Sequence, residues 1–571
     1  MFVTLFAVPT YYSQELLHDM NSIVFLLVAT TTLVVRGGVW AASSDDGSPR
    51  SRRPNILLLT ADDLNWDSVG SYGCPVQDIT PNIDRLASQG LQFDYGYVNI
   101  AICTPSRHIM LTGQHSHQTM TRGFTTPELL PGQFALPDIL KAQGGYYLAQ
   151  VNKLQRGYPW DTSIGEGATG FGRNVTRQGQ LARQVIQQAG QKPWFMAYNL
   201  NDPHRPFVGS DMEVDRIEPA MRQQFSTPSR LYSPDDIVVP GFLPDLPQVR
   251  LEMAQYYNSV RRLDDGVGAV LKALDESGQA NDTVVVFLSD NGISNPFAKI
   301  NVYQASLRVP FIVRYPGIVE SGTRDKTNMI SAIDLAPTIL ELAGLNVPDY
   351  LAGRSFVPLL LRQDQEERDY IIGYYYRNLK DVQMYPEYAI HRRDWCYIYN
   401  PWVDGYTEVV NSDYARGLTL AAMWTAAKSI PSIQRRVHFH KYRVLEELYN
   451  LRQDPHSYLN VVDNEENRER VSEMQALLVQ WMNDTNHPAI ELMKDPYNQQ
   501  LISEYMEFET CNAIDELEEE MGEELRRKIK RNSACPQQPV FLEAWIFGGL
   551  AFVFIIAVIL RIVCVHRRSA S

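Results

Sequence analysis

Cysteine is scarce in this chain, with six among 571 residues. Six scattered thiols cannot staple a chain of that length, so the small disulfide-scaffold class is excluded. Basic residues are also in the minority, 52 Lys and Arg against 66 Asp and Glu, for a net charge of −14. That field excludes nucleic acid as the main partner, although it leaves room for a local basic pocket around an anionic substrate. Long apolar runs are confined to the two ends, and no internal repeat breaks up what lies between. A hydrophobic content of 44% is enough for a large core, so the middle of the chain is globular, with one large α/β domain and a smaller appendage.

The two ends read differently. Residues 23–35, IVFLLVATTTLVV, are short for a bilayer span and precede the small-residue pattern VWA. This predicts a signal peptide within 1–41, cut near Ala41, with Met20 as the expected initiator. Residues 544–560, AWIFGGLAFVFIIAVIL, stand uncharged between Glu543 and Arg561. They predict a transmembrane helix over 544–565 with a short cytosolic tail, 566–571. The leader then places the bulk of the chain in the lumen or outside the cell. The expected location is the secretory pathway, as a single-pass membrane protein of the cell surface or a lysosome-like organelle. Three Asn-x-Ser/Thr sequons, Asn174, Asn281 and Asn483, suit glycosylation on that side. Cys511 and Cys535 flank the pre-membrane segment and are able to pair, while Cys564 suits palmitoylation. Cys74 and Cys396 stay unassigned, and Cys103 calls for a separate explanation.

From residue 54 the pattern alternates. NILLLT (55–60), YYLAQV (146–151), WFMAYNL (194–200) and VVVFLS (284–289) are short apolar runs, as buried parallel strands are. Amphipathic stretches such as 251–276 lie between them. Such alternation predicts a doubly wound α/β domain over 54–365. Residues 366–490 have another texture. YAIHRRDWCYIYN (388–400) reads as a hairpin turning at Arg392-Arg393-Asp394, 442–455 adds a strand and a turn, and 464–484 a closing helix. This is a smaller α+β subdomain with an antiparallel sheet. Residues 491–543 read as a stalk, within which 512–531 passes from acidic to basic as a helix does along its dipole.

Chemically active side chains stand just beyond each apolar run. After the first come Asp62-Asp63, after the second Lys153, after the third His204, and after the fourth Asp290-Asn291-Gly292. Singly, each has a structural use: a helix cap, a loop histidine, a turn. In an open α/β sheet, however, ligands bind beyond the carboxyl ends of the strands, so these groups should meet. Asp62, Asp63, Asp290 and Asn291 offer only oxygen, which suits a hard cation, Ca2+ ahead of Mg2+. Arg107, Lys153, His204 and Lys299 add positive charge and donors around an anion. A cation beside such a cluster stabilises charge on a transferred oxyanion group.

Cys103-Thr104-Pro105-Ser106-Arg107, followed by Leu111-Thr112-Gly113, resembles the sulfatase signature C-x-P-S-R-x-x-x-L-T-G. NILLLTADD and LSDNG are similar to that family's metal-binding stretches, and the resemblance spans residues 54–490. It implies an alkaline-phosphatase-like fold with a large doubly wound mixed sheet. It also implies that a formylglycine-generating enzyme oxidises Cys103 to the formylglycine nucleophile. By the same resemblance Asp62, Asp63, Asp290 and Asn291 hold the metal together with residue 103, and Arg107 steadies the aldehyde hydrate. Lys153, His204 and Lys299 would grip the sulfate, with His204 protonating the leaving group. Within the family, GRNVT (172–176), NDPHRPF (201–207), YSPDDIVVPGFLPDLP (232–247) and LYNLRQDPHS (448–457) resemble the heparan N-sulfatases. Their substrate class is a sulfated glycan ending in N-sulfated glucosamine. The alternatives are an O-sulfatase for another polysaccharide and a catalytically silent, glycan-binding relative. One departure stands out: Gln155 occupies the place of a family histidine, and an amide accepts a hydrogen bond but no proton. Analogy with some relatives adds a homodimer.

Overall fold

The four apolar runs form the middle of one eight-stranded sheet. In chain order its strands are β1 (Asn55–Asp62), β2 (Leu91–Tyr97), β3 (Tyr147–Asn152) and β4 (Thr162–Ile164). They are followed by β5 (Trp194–Pro203), β6 (Thr283–Ser289), β7 (Phe311–Arg314) and β8 (Thr323–Ser331). Across the sheet the order is β4-β3-β5-β1-β6-β7-β2-β8. β7 is antiparallel to both its neighbours and every other pair is parallel, so the sheet is mixed. Every residue of β1, β5 and β6 is buried, because layers of helix cover the sheet. That double burial is why these strands read as continuous apolar runs rather than alternating ones. Each fully buried Leu, Val or Phe in them contributes about 1.5–3 kcal/mol.

Among the covering helices are α1 (Pro81–Ser88), α2 (Cys103–Thr112), α3 (Val175–Ala189) and α4 (Pro247–Glu276). α4 buries Met253, Tyr256, Val260, Leu263, Val267, Val270 and Leu274, a stripe of helical period that packs on β5 and α3. Asp264, on the same helix, accepts the backbone N–H groups of Asn82 and Ile83 at 3.0 and 2.8 Å, so α4 caps α1.

A second sheet is antiparallel throughout, β9 (Tyr370–Arg377), β10 (Met384–Arg392), β11 (Trp395–Tyr399) and β12 (Glu446–Asn450), in the order β12-β11-β10-β9. The expected hairpin is β10–β11, with His391 opposite Cys396. Helices α5 (Arg468–Asp484) and α6 (Gln499–Met521) pack against β10. The segment read as a stalk therefore includes a docked portion: Tyr505 of α6 is buried, bonded to Tyr388 of β10 and to Glu509 Oε1 at 2.7 Å. Cys511 is disulfide-bonded, while Cys74, Cys103 and Cys396 are free.

This computed structural model describes residues 53–121, 127–165, 171–366, 368–377, 384–409 and 417–521. The leader 1–41, the apolar segment 544–565, Cys535 and Cys564 lie outside the described residues. Among the described residues no helix is long and apolar enough to cross a membrane.

Candidate active site

The four strand ends do meet. β1 closes on Asp62, and Asp63 comes next with φ 67°, in the left-handed region that Asp tolerates better than most side chains. Its N–H donates to Asp290 Oδ1 at 3.1 Å, which ties the end of β1 to the residue after β6. β3 closes on Asn152, also at φ 67°, and the chain then turns into Lys153. β5 closes on Pro203 and delivers His204.

Cys103 is the first residue of α2. The preceding Ile102 has no side chain able to cap, so the first N–H groups of the helix face the site without a local acceptor. The Cys-x-Pro-Ser-Arg spacing is one helical turn, which puts Arg107 on the same face as Cys103. Gly113 ends α2 at φ 63°, where a Cβ would come 3.0 Å from Ala336 Cβ, so glycine is favoured by both backbone and space.

Around Cys103 the charges interlock. Lys299 Nζ reaches Cys103 Sγ at 3.2 Å and Asp63 Oδ1 at 2.8 Å. The Cys103 thiol points to Asp62 Oδ1 at 3.5 Å, and Lys153 pairs with the other oxygen of Asp62. Asn291 Nδ2 donates to Asp63 Oδ1 at 2.7 Å. Asp62, Asp63, Cys103 and His204 each offer a ligand atom, all within 4.8 Å of one another. Asp63 Oδ2 and Asn291 Oδ1 are buried and accept no hydrogen bond. Buried oxygens without donors are costly unless something positive meets them, and the oxygens of Asp62, Asp63 and Asn291 fit a hard divalent cation. His204 was expected on the sulfate; here it also stands within the possible ligand set. Its Nδ1–H donates to Arg205 O at 2.5 Å, which leaves Nε2 for the cluster.

Arg107 is buried, and its fork is taken up. Nε and Nη2 donate to Asp290 Oδ2 at 3.0 and 2.7 Å, and Nη1 donates to Thr60 Oγ1 at 2.5 Å and Asn199 Oδ1 at 2.6 Å. In this arrangement Arg107 orients Asp290. Sequence reasoning does not single out Thr60 or Asn199. Asn199 also donates to Lys153 O at 2.7 Å, so it links two strand ends. The only signal for either is a polar residue inside an otherwise apolar run. Gln155 is buried on the loop after β3, its backbone clamped by Gln150 and Trp160 and its Oε1 without a hydrogen bond.

Burial pushes the Cys103 thiol far above its ordinary value, with Lys153 and Lys299 only partly opposing it. Burial also works against charge on Asp62, yet Lys153 and His204 outweigh it and hold that carboxyl below the usual range. Lys153 is held above its ordinary value, since Asp62 overcomes the cost of burial. His204 is lowered, first by burial and then by Lys153. Of the sequons, Asn281 and Asn483 are exposed, whereas Asn174 is half-buried and caps α3 by accepting Arg177 N–H at 2.9 Å.

Known proteins share this organisation. The family described as "Sulfatase" matches residues 54–345, and "N-sulphoglucosamine sulphohydrolase, C-terminal" matches residues 292–405. N-sulphoglucosamine sulphohydrolase of Homo sapiens is 29% identical over 476 residues, 77% of this chain and 92% of that protein. An ulvan-active sulfatase of Formosa agariphila is 25% identical over 492 residues, 78% of each chain. A solved protein in complex with its substrate D-glucosamine-2-N,6-O-disulfate aligns with a TM-score of 0.58 at 20% identity, over 76% of this chain and 99% of that one. That last likeness is one of fold.

Proposed function

Because the chain belongs to the sulfatase family and so acts on sulfated sugars, we propose that its substrate is N-sulfated glucosamine at the non-reducing end of a glycan. The observation that carries this choice is the match of residues 292–405 to the C-terminal part of N-sulphoglucosamine sulphohydrolase. That stretch includes Lys299 and the β10–β11 hairpin, whose His391 donates to Val302 O on the same loop.

Formylglycine made from Cys103 supplies a nucleophile that can be regenerated, and a divalent cation, Ca2+ by its oxygen donors, supplies positive charge against the sulfate oxygens. Asp62, Asp63, Asp290 and Asn291 are the residues to hold that cation, with Arg107 fixing Asp290 by two donors to its Oδ2. Lys153 and Lys299, which now lean on Asp62 and Asp63, are the donors for the sulfate anion. His204, with Nδ1 committed to Arg205 O, presents Nε2 to the leaving nitrogen, which departs poorly unless protonated. Gln155 Oε1, which takes no hydrogen bond from the protein, is left to accept one from the nucleophile but cannot take its proton.

The test is sulfate release by secreted ectodomain from matched N-sulfo and 6-O-sulfo glucosamine-terminated saccharides, with Cys103→Ala as control. Release from the N-sulfo substrate alone supports the reading, and release only from the 6-O-sulfo substrate replaces it with an O-sulfatase. Release from neither favours a glycan-binding relative, which the unreactive amide of Gln155 would suit. We read the leader, the sequons and residues 544–565 as marks of a glycosylated enzyme anchored in a membrane of the secretory pathway. The chain ending at Glu543 should then leave the membrane fraction that holds the full chain; retention would refute the anchor. A homodimer remains a proposal for sedimentation analysis.

A further inference from the structure

Lys299 lies on a loop that its own backbone bonds hold only in part. Phe297 and Ile300, on either side of it, both have φ 65°. Neither is glycine, and Ile is β-branched, so this conformation persists only where surrounding contacts over-determine it. On the side of the large sheet, Lys299 N–H donates to Ile293 O at 3.0 Å and Ile300 N–H to Ala101 O at 3.0 Å. Further restraint comes from Asn301 on the loop itself, and through it from the antiparallel subdomain. Asn301 Nδ2 donates to Ala298 O at 3.3 Å and to Lys299 O at 3.2 Å, while its own Oδ1 is gripped by Arg443. Arg443 also donates to the Tyr303 hydroxyl, which donates in turn to Glu447 Oε2 at 2.6 Å. Asn400 and Tyr449 complete Glu447 at 2.8 and 2.6 Å, and His391 Nε2 donates to Val302 O at 2.7 Å.

Asn301, Tyr303, Arg443 and Glu447 are all buried, Glu447 completely. Two buried charges joined through a hydroxyl, as Arg443 and Glu447 are through Tyr303, are a poor way to stabilise a fold, because desolvation offsets most of their attraction. They are an effective way to impose one geometry, since neither charge tolerates losing its partners. We propose that Arg443, linked to Glu447 through the Tyr303 hydroxyl and acting through Asn301, is a positioning residue that fixes Lys299 beside Cys103 and Asp63, so that the antiparallel subdomain is a working part of the catalytic site. This rests on the reading of Lys299 as a donor to the sulfate group.

The test is a double-mutant cycle in the full chain, pairing Arg443→Gln with Lys299→Ala. Two quantities are read, turnover on the N-sulfo saccharide and the dissociation constant of inorganic sulfate by calorimetry. Arg443→Gln should weaken sulfate binding and lower kcat by roughly 10- to 100-fold. In the Lys299→Ala background it should add almost nothing. Equal losses in both backgrounds would mean that Arg443 only supports the fold, and would overturn the proposal. If Lys299→Ala itself changes neither quantity, the sulfate role of Lys299 is wrong and the proposal falls with it. Should Arg443→Gln fail to fold, Asn301→Ser cuts the same link while leaving Arg443, Tyr303 and Glu447 together, and the same cycle decides.

Discussion

His204 and Cys103 show what burial does to two groups of opposite task. A thiol raised by burial stays protonated and is a weak nucleophile, which is the physical case for converting Cys103 before it acts. A histidine lowered by burial is a stronger acid when it does carry its proton. His204 bears that proton only below the ordinary histidine value of 6.5, so turnover should fall as pH rises through the lowered value. His204→Asn should lose about 10²–10⁴-fold in kcat and flatten that limb. The pH profile of kcat for the two proteins checks this, and an unchanged limb in the variant would assign the proton to another group.

At the scale of elements, the site is a set of strand ends held open by one another. β1 and β6 are tied by Asp63 N–H on Asp290, β5 and β3 by Asn199 on the Lys153 carbonyl, and α2 to both by Arg107. The lysines now neutralise the carboxylates, yet Asp63 Oδ2 and Asn291 Oδ1 remain unmet. Ca2+ should therefore raise the denaturation midpoint of the protein, by an amount equivalent to about 2.7 kcal/mol at a hundredfold excess over its dissociation constant. A chelator should reverse the gain and Asp63→Asn should blunt it, as followed by thermal melts at graded Ca2+. A midpoint indifferent to Ca2+ but raised by Mg2+ would reassign the ion.

The molecule as a whole couples its two sheets through buried charge. Glu387 of β10 is pushed up to about 7, first by burial and then by Glu447, against Arg443 and the Val302 N–H. A carboxyl raised on folding stabilises the protein fully below its unfolded value of 4.5, and that contribution is lost as pH rises through about 7. The unfolding free energy should thus decline over that interval. Glu387→Gln should remove most of the decline, as measured by denaturant titrations across the interval. The expected size is a few kcal/mol at most, because one pKa unit corresponds to about 1.4 kcal/mol.

Much of this was legible in the residues alone. The central strands were readable because parallel strands covered on both faces are apolar throughout, and the Cys103–Arg107 spacing because one helical turn sets it. The hairpin at 388–400 was readable from its turn chemistry. Thr60, Asn199 and Arg443 were not, because each works only through partners far along the chain: Arg107 reaches Asn199 across 92 positions, and Arg443 reaches Asn301 across 142. The amino-acid sequence by itself determined the chemical inventory and its placement at the ends of strands. Only the tertiary structure decided which charge meets which: Arg107 on Asp290, Lys153 on Asp62, Lys299 between Asp63 and Cys103, and His204 beside Asp62, Asp63 and Cys103. Strand order and loop restraint set those distances, and the local periodicities that specify helices and strands carry no record of either.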